Sequence, residues 1–152
     1  MDAPVCRSVV TAFYRAFASR DPIKIAPFVH DDAEWTIVGP VDLLRFCGQR
    51  RGKAAVMDLF QRVVPEVLHI TKFQTEILLV DGDRAASFSR ITGIQRETGR
   101  TISYRCTHFL RFRQDRVIEF RSVIDSFDAA EQMLGHHIEL SSDGNSPILV
   151  PA

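Results

Sequence analysis

The sequence lacks the features that mark membrane, secreted and nucleic-acid-binding proteins. None of its 152 residues lies in an apolar stretch near the roughly 20 residues that a membrane-spanning helix needs. The first ten residues, MDAPVCRSVV, have neither the basic region nor the apolar run of a signal peptide. Lys plus Arg (19) equals Asp plus Glu (19), so no net field attracts a polyanion. We expect a cytoplasmic protein without a nucleic-acid or membrane partner.

Cysteine is scarce and carries no metal-binding pattern. Cys6, Cys47 and Cys106 are an odd, scattered set without CxxC spacing, which indicates neither a disulfide framework nor a zinc site. His136 and His137 are adjacent, so they do not share a helical face as an i, i+4 pair would. We predict no metal site and no cofactor.

The composition is that of an ordinary globular domain. Hydrophobic residues make up 45% and charged residues 25%. A chain of this length can bury roughly 68 to 70% of its extended surface around one core. We predict a single domain over residues 1–135. Residues 136–152 contain Ser, Gly and Pro, which predicts a weakly ordered tail.

The first half of the chain shows helical periodicity. Apolar residues recur at three- and four-residue spacing over 5–19, which predicts a helix with one buried face. Asp21 and Pro22 are suited to cap and begin a second helix, which extends to about residue 29. Residues 53–67 predict a third helix, with Pro65 disrupting its last turn.

The second half changes to the two-residue period of strands. A short strand over 33–38 and a loop over 41–52 precede helix three, and four strand-like runs follow it: 69–80, 84–96, 101–113 and 116–125. Their short separators predict an antiparallel meander. Because strands this long must coil, the sheet should have a concave face, and three helices covering that face would leave an apolar pocket. A helical turn is predicted over 128–134.

Strand alternation places candidate chemical groups on the faces of this sheet. Tyr104 and His108 share an apolar face in the third long strand, and Arg121 and Asp125 share one in the fourth. If both faces turn inward, His108 and Asp125 form an acid–base pair in one cavity. Arg121 could then pair with Asp125 or hold a ligand oxygen.

The predicted walls of the cavity are aromatic, and the polar candidates have a structural alternative. The natural apolar walls are Trp35, Phe17, Phe60 and Tyr104. In the alternative interpretation, His108 is a core residue bonded to a backbone carbonyl, and Arg121 with Asp125 is a structural ion pair.

Three strings and their order resemble a known superfamily. They are FVHDDAEW at 28–35, RGKAAV at 51–56 and VIEFRSVID at 117–125. With the order of elements, they are similar to the NTF2-like (ketosteroid isomerase-like) superfamily, and most to its SnoaL-like polyketide cyclase group. The resemblance implies an α+β fold, a cone-shaped curved antiparallel sheet packed on three N-terminal helices, and a homodimer formed through the outer sheet face. It also matches His108 and Asp125 to the His and Asp of the cyclase-like enzymes.

The chain departs from two other groups of that superfamily. The general base of the ketosteroid isomerases falls on Ile37, and their helix-one tyrosine falls on Phe13. The Arg-x-Asp pair of the limonene epoxide hydrolases falls on Ile91 and Gly93. We therefore expect a SnoaL-like pocket protein for a small apolar, carbonyl-bearing ligand, acting as a cofactor-free isomerase, cyclase or hydrolase. The alternative is a non-catalytic ligand-binding or dimerisation module.

Overall fold

The computed structural model describes residues 2–139 and combines one six-stranded sheet with short helices. The helices are α1 (Arg7–Ser19), α2 (Pro22–Ile25), α3 (Lys53–Asp58), α4 (Val64–Val67) and α5 (Ser126–Leu134). The strands are β1 (Val29–Val38), β2 (Gly48–Arg51), β3 (Leu68–Asp81), β4 (Arg84–Gln95), β5 (Thr101–Arg113) and β6 (Arg116–Ile124). The curved, unclosed sheet has the order β2-β1-β6-β5-β4-β3, and the predicted α+β cone fold is confirmed.

The two N-terminal helices begin as their residues predict, but α2 ends at Ile25 and not near residue 29. One face of α1 is buried against the sheet through an apolar stripe at helical spacing. The Asp21 side chain accepts a hydrogen bond from the Ile23 N–H at 3.0 Å, and Pro22 occupies the first position of α2. A 3-10 turn, Ala26–Phe28, then leads directly into β1.

The helix predicted over 53–67 is present but changes its winding. A π-helical turn, Leu59–Val63, separates α3 from α4, and at its end the Val64 N–H donates to the Leu59 carbonyl five residues earlier. Pro65 has no N–H to continue the regular ladder, and its ring would crowd the carbonyl four residues before it. The wider turn places Leu59 and Phe60 in the core.

The sheet follows the predicted meander and adds pairings that the pattern did not show. β3, β4, β5 and β6 pair antiparallel in sequence order, and their bounds lie within about one residue of the predictions. β1 begins at Val29 and pairs in parallel with β6. β2, which lies in the predicted loop, is a four-residue edge strand on β1. Its polar residues, GQRR, are only partly buried, so they carry no apolar alternation.

A register shift in β6 overturns one predicted face. Phe112 pairs with Val117, but the next residue back on β5, Arg111, pairs with Glu119, so Ile118 is an extra residue. One extra residue reverses every later side chain. Val117 is buried as predicted, whereas Arg121 lies on the outer face, and Asp125 beyond it is exposed. The prediction that Arg121 and Asp125 point inward is therefore wrong.

The C-terminal helix anchors the far end of the sheet. Gln132 of α5 accepts a hydrogen bond from the Ser103 N–H at 2.8 Å and donates to the Ser103 carbonyl at 2.7 Å. The helical turn predicted over 128–134 thus extends back to Ser126. Of the predicted tail over 136–152, residues 140–152 lie outside the described residues. The domain boundary stays a prediction.

Candidate functional site

A small cavity lies between the concave sheet face and the helices. Its volume is about 40 Å³, room for a few water molecules. The lining residues are Phe17, Arg20, Trp35, Ile37, Phe46, Leu59, Phe60, Val64, Ile70, Ile91, Tyr104, His108, Phe120, Ser122 and Ile124. Five of the seven predicted site residues, Phe17, Trp35, Phe60, Tyr104 and His108, therefore meet in this cavity.

His108 occupies the middle of a polar row across the sheet. Its cross-strand partners are Ser87 on β4 and Ser122 on β6, and because antiparallel partners point the same way, all three face inward. The imidazole is only 2% exposed. The Ser122 hydroxyl is buried beside it and faces the cavity.

The side chain of Tyr14 in α1 contacts the His108 ring. Its hydroxyl lies 3.2 Å from His108 Nδ1 and 2.7 Å from Ser87 Oγ. A phenol has one proton to donate. With the imidazole proton on Nδ1, His108 donates to Tyr14 and Tyr14 donates to Ser87, and Nε2 is then a hydrogen-bond acceptor; with the proton on Nε2, both of these hydrogen bonds run in the opposite direction. In either arrangement Tyr14 fixes the orientation of the His108 ring.

The surroundings of His108 keep it uncharged. Its ring packs parallel to those of Tyr14 and Phe73 and lies 4.6 Å from the Phe120 ring, centroid to centroid. Burial, with a smaller contribution from the positive charge of Arg20, lowers the pKa of His108 to about 3. Near neutral pH His108 is a neutral imidazole, in which one ring nitrogen donates a hydrogen bond and the other accepts one.

Cys106 is the sulfur neighbour of this imidazole. Its Sγ lies 3.6 Å from His108 Nε2. Burial raises the pKa of the Cys106 thiol to about 12, so the sulfur stays protonated. This pair is therefore not an activated thiolate–imidazolium nucleophile.

Stacked aromatic side chains form one flat wall of the cavity. Trp35 and Phe120, cross-strand neighbours on β1 and β6, stack with centroids 3.9 Å apart and planes 7° from parallel. Phe60 meets Trp35 and Phe17 edge-on. Such a wall suits a planar, apolar ligand.

Arg20 brings a positive charge to the edge of the cavity. It ends α1 in the left-handed conformation, with φ 57°, and its N–H donates to the Phe17 carbonyl at 3.2 Å. The guanidinium carbon lies 4.8 Å from the centroid of the Phe17 ring and 5.1 Å from that of Phe60. Burial lowers the pKa of Arg20 to about 10, which leaves it charged at neutral pH.

The two remaining predicted site residues lie outside the cavity. Asp125 caps α5, where its Oδ1 accepts from the Asp128 N–H at 3.4 Å. Arg121 pairs with Glu119 at 2.8 Å on the outer sheet face. The predicted His108–Asp125 acid–base pair therefore does not form, because the extra residue in β6 sends the carboxylate to the other side of the sheet.

The outer face of the sheet carries exposed apolar side chains. Ile77, Leu79, Phe109 and Val123, which we call the outer patch, are 47 to 63% exposed. Cross-strand pairing places them in two adjacent rows, from Ile77 to Val123 and from Leu79 to Arg121.

Tyr14, Arg20, Ser87 and Ser122 were missed by sequence reasoning. Tyr14 shares helical spacing with Val10 and Phe17, so the periodicity could have placed it inward. Arg20 lies between the two predicted N-terminal helices, where the sequence pattern gives no sign of a site residue. The serines become visible only when the strand register is known.

The described residues contain neither a cluster of metal ligands nor a membrane-spanning helix. Residues 2–139 contain no group of three or more His, Cys, Asp or Glu side chains placed to hold a metal ion. No helix within the described range is long and apolar enough to cross a membrane.

Comparison with known proteins identifies the fold family. The sequence-family model of the SnoaL-like domain matches residues 10–120, which is most of the chain. The chain belongs to the SnoaL-like family, within the NTF2-like superfamily. A structure from Rhodopseudomonas palustris, described as a candidate isomerase, is 35% identical, with a TM-score of 0.73 over 84% of this chain and 93% of that one. No protein in the curated set matches the chain.

Two further structures share the architecture of this SnoaL-like protein. An NTF2-like protein from Burkholderia thailandensis is 23% identical, with a TM-score of 0.73 over 88% of this chain and 98% of that one. An LEH-like epoxide hydrolase from M. tuberculosis is 16% identical, with a TM-score of 0.67 over 84% of this chain and 88% of that one. At these identities the likeness shows the fold alone.

Proposed function

We propose that this protein binds a small, apolar, carbonyl-bearing molecule in the cavity and acts on it as a cofactor-free isomerase or cyclase by proton transfer through His108. The observation that carries the proposal is a neutral imidazole with an imposed orientation, set in an aromatic cavity beside the Ser122 hydroxyl. Apolar walls with a few convergent polar groups are typical of small-molecule sites.

The proposed chemistry uses His108 and Ser122 together. Ser122 donates its O–H to the ligand carbonyl oxygen, and His108 Nε2 takes a proton from the adjacent carbon. The C–H electron pair moves into the carbonyl group to give an enolate, and the proton returns to a different carbon. The resting pKa of His108 is low, but an enolate beside the ring favours its charged form. Tyr14 is the positioning residue in this scheme.

Exchange of carbon-bound hydrogen tests this function without knowledge of the natural substrate. Wild-type protein should catalyse the uptake of deuterium from D₂O at the carbon next to the carbonyl of cyclic aliphatic or aryl ketones. Mass spectrometry measures this uptake. His108→Gln should lower the rate by about 100-fold, since a positioned general base contributes at least that much. Asp125→Asn is the matched control and should keep the wild-type rate. Equal rates for His108→Gln and wild type would exclude the catalytic assignment.

A non-catalytic binding module is the second candidate, favoured by the size of the cavity. About 40 Å³ is far below the roughly 300 to 1,000 Å³ of small-molecule sites, so side chains must move before a ligand fits. Arg20, Ile37 and Ile70 are the partly exposed lining residues and mark where it would open. A ketone that raises the melting temperature but takes up no deuterium would favour this candidate.

A further inference from the structure

Arg20 is an unusual cation for its position. The left-handed conformation at the end of α1 is one that glycine adopts at little cost and arginine rarely does. Here it is occupied by a residue whose long side chain turns back over the rings of Phe17 and Phe60. The side chain lines the cavity, and the residue is only partly exposed.

No acidic group of the described residues balances this charge. The residues lining the cavity include neither Asp nor Glu, and the guanidinium has no ion-pair or hydrogen-bond partner within residues 2–139. The other titratable groups that line the cavity, Tyr104 and His108, are uncharged near neutral pH because burial raises the pKa of the first and lowers that of the second. Stacking on two aromatic rings compensates only part of the lost hydration of a guanidinium.

We propose that Arg20 is the specificity-determining residue of this cavity, and that its ligand carries a carboxylate in addition to an apolar body. The inference rests on the proposed function of the cavity as a ligand site. A carboxylate accepts two parallel hydrogen bonds from the flat guanidinium, which matches the Arg20 charge at the opening, unpaired among residues 2–139. The apolar body would lie against the stacked wall of Trp35 and Phe120.

A matched pair of probes separates charge recognition from apolar binding. 3-Phenylpropionate and 3-phenylpropanamide have similar size and shape but differ in charge. Calorimetry at millimolar probe should show that the wild type binds the carboxylate about tenfold more tightly than the amide, the value expected for a charge-assisted hydrogen bond. Arg20→Gln should remove that preference and leave the affinity for the amide within about twofold.

Three further variants keep the test interpretable. Arg20→Lys retains the charge and should retain a preference for the carboxylate. Arg20→Gly relieves the left-handed backbone conformation, so it should fold at least as stably while losing the preference. Arg15→Gln removes an exposed arginine of the same helix and should behave as wild type.

The outcomes distinguish the inference from the function on which it rests. If the wild type binds both probes equally, or if Arg20→Gln keeps the preference, the role of Arg20 is wrong while the cavity remains a ligand site. If neither probe binds the wild type, both the role of Arg20 and the proposed ligand site are overturned. The role of Arg20 is supported if Arg20→Gln and Arg20→Gly lose the preference for the carboxylate while Arg20→Lys and Arg15→Gln keep it.

Discussion

At the scale of single residues, the buried imidazole of His108 makes stability depend on pH. Its pKa is about 3 in the folded protein, against 6.5 unperturbed. The unfolded chain therefore binds a proton that the folded chain does not, and stability falls as pH decreases from about 6.5 towards 3. Between about pH 7 and pH 5 this group alone should lower the free energy of unfolding by about 2 kcal/mol.

Urea unfolding of wild type and His108→Gln at both pH values measures that contribution. Glutamine is neutral throughout, so the variant should lose about 2 kcal/mol less than the wild type over this interval. Other titrating groups act equally on both proteins and cancel in the difference. An identical pH dependence in the wild type and His108→Gln would show that His108 becomes protonated in the folded state. Its surroundings would then be more hydrated than the structure shows.

At the scale of elements, the β3–β4 pair depends on a close backbone approach at Gly93. A Cβ at this position would lie 2.8 Å from the His69 carbonyl oxygen and 3.1 Å from the Ile70 Cα, both of them backbone atoms that cannot swing aside. The approach coincides with the register shift between Ile70 and Lys72. Gly93→Ala should lower the free energy of unfolding by about 1 to 3 kcal/mol, the usual cost of overpacking.

Chemical denaturation of Gly93→Ala against an exposed control tests this constraint. Gln74→Ala, on the neighbouring strand, removes a side chain that faces solvent and should change stability by less than about 0.5 kcal/mol. A Gly93→Ala protein as stable as the wild type would mean that the two strands separate easily, and the register shift would then not be a rigid feature.

At the scale of the whole molecule, the outer patch is an exposed apolar surface that a second protein surface can bury. We propose that a second copy of this chain covers it, because the patch is flanked by charges of both signs that a two-fold contact can pair. Arg111 and Arg121 both bridge to Glu119, at 3.3 and 2.8 Å, and they border Leu79 and Phe109 in one open surface groove. Large exposed apolar patches with a polar rim are typical of protein interfaces.

Sedimentation equilibrium tests the proposed homodimer. The wild type should sediment at twice the 17.2 kDa of the chain, and Phe109→Glu should shift it to monomer by placing a charge in the patch. Ile23→Glu changes an apolar residue that is 82% exposed on α2, outside the sheet, and should leave the dimer intact. A monomeric wild type at about 100 μM would contradict the proposal, since stable interfaces hold at far lower concentrations.

Much of the architecture was determined by the sequence itself. Helical and strand periodicities are local properties of the chain, so they predict the order of elements, the meander and most bounds. Within β5, alternation placed Tyr104 and His108 on the buried face correctly, because no residue is inserted in that strand between them. The sequence also indicated Phe17, Trp35 and Phe60 as apolar walls of the cavity.

Only the tertiary structure decided which polar groups share the cavity. One extra residue at Ile118 reverses the face of β6, replacing Asp125 and Arg121 by Ser122 beside His108. No local pattern specifies that insertion, since the bulge depends on how β6 pairs with β5. Tyr14 and Arg20 likewise reach His108 and the cavity only through the packing of α1 on the sheet. A local pattern gives each side chain a direction, but only pairing between distant segments gives it a neighbour.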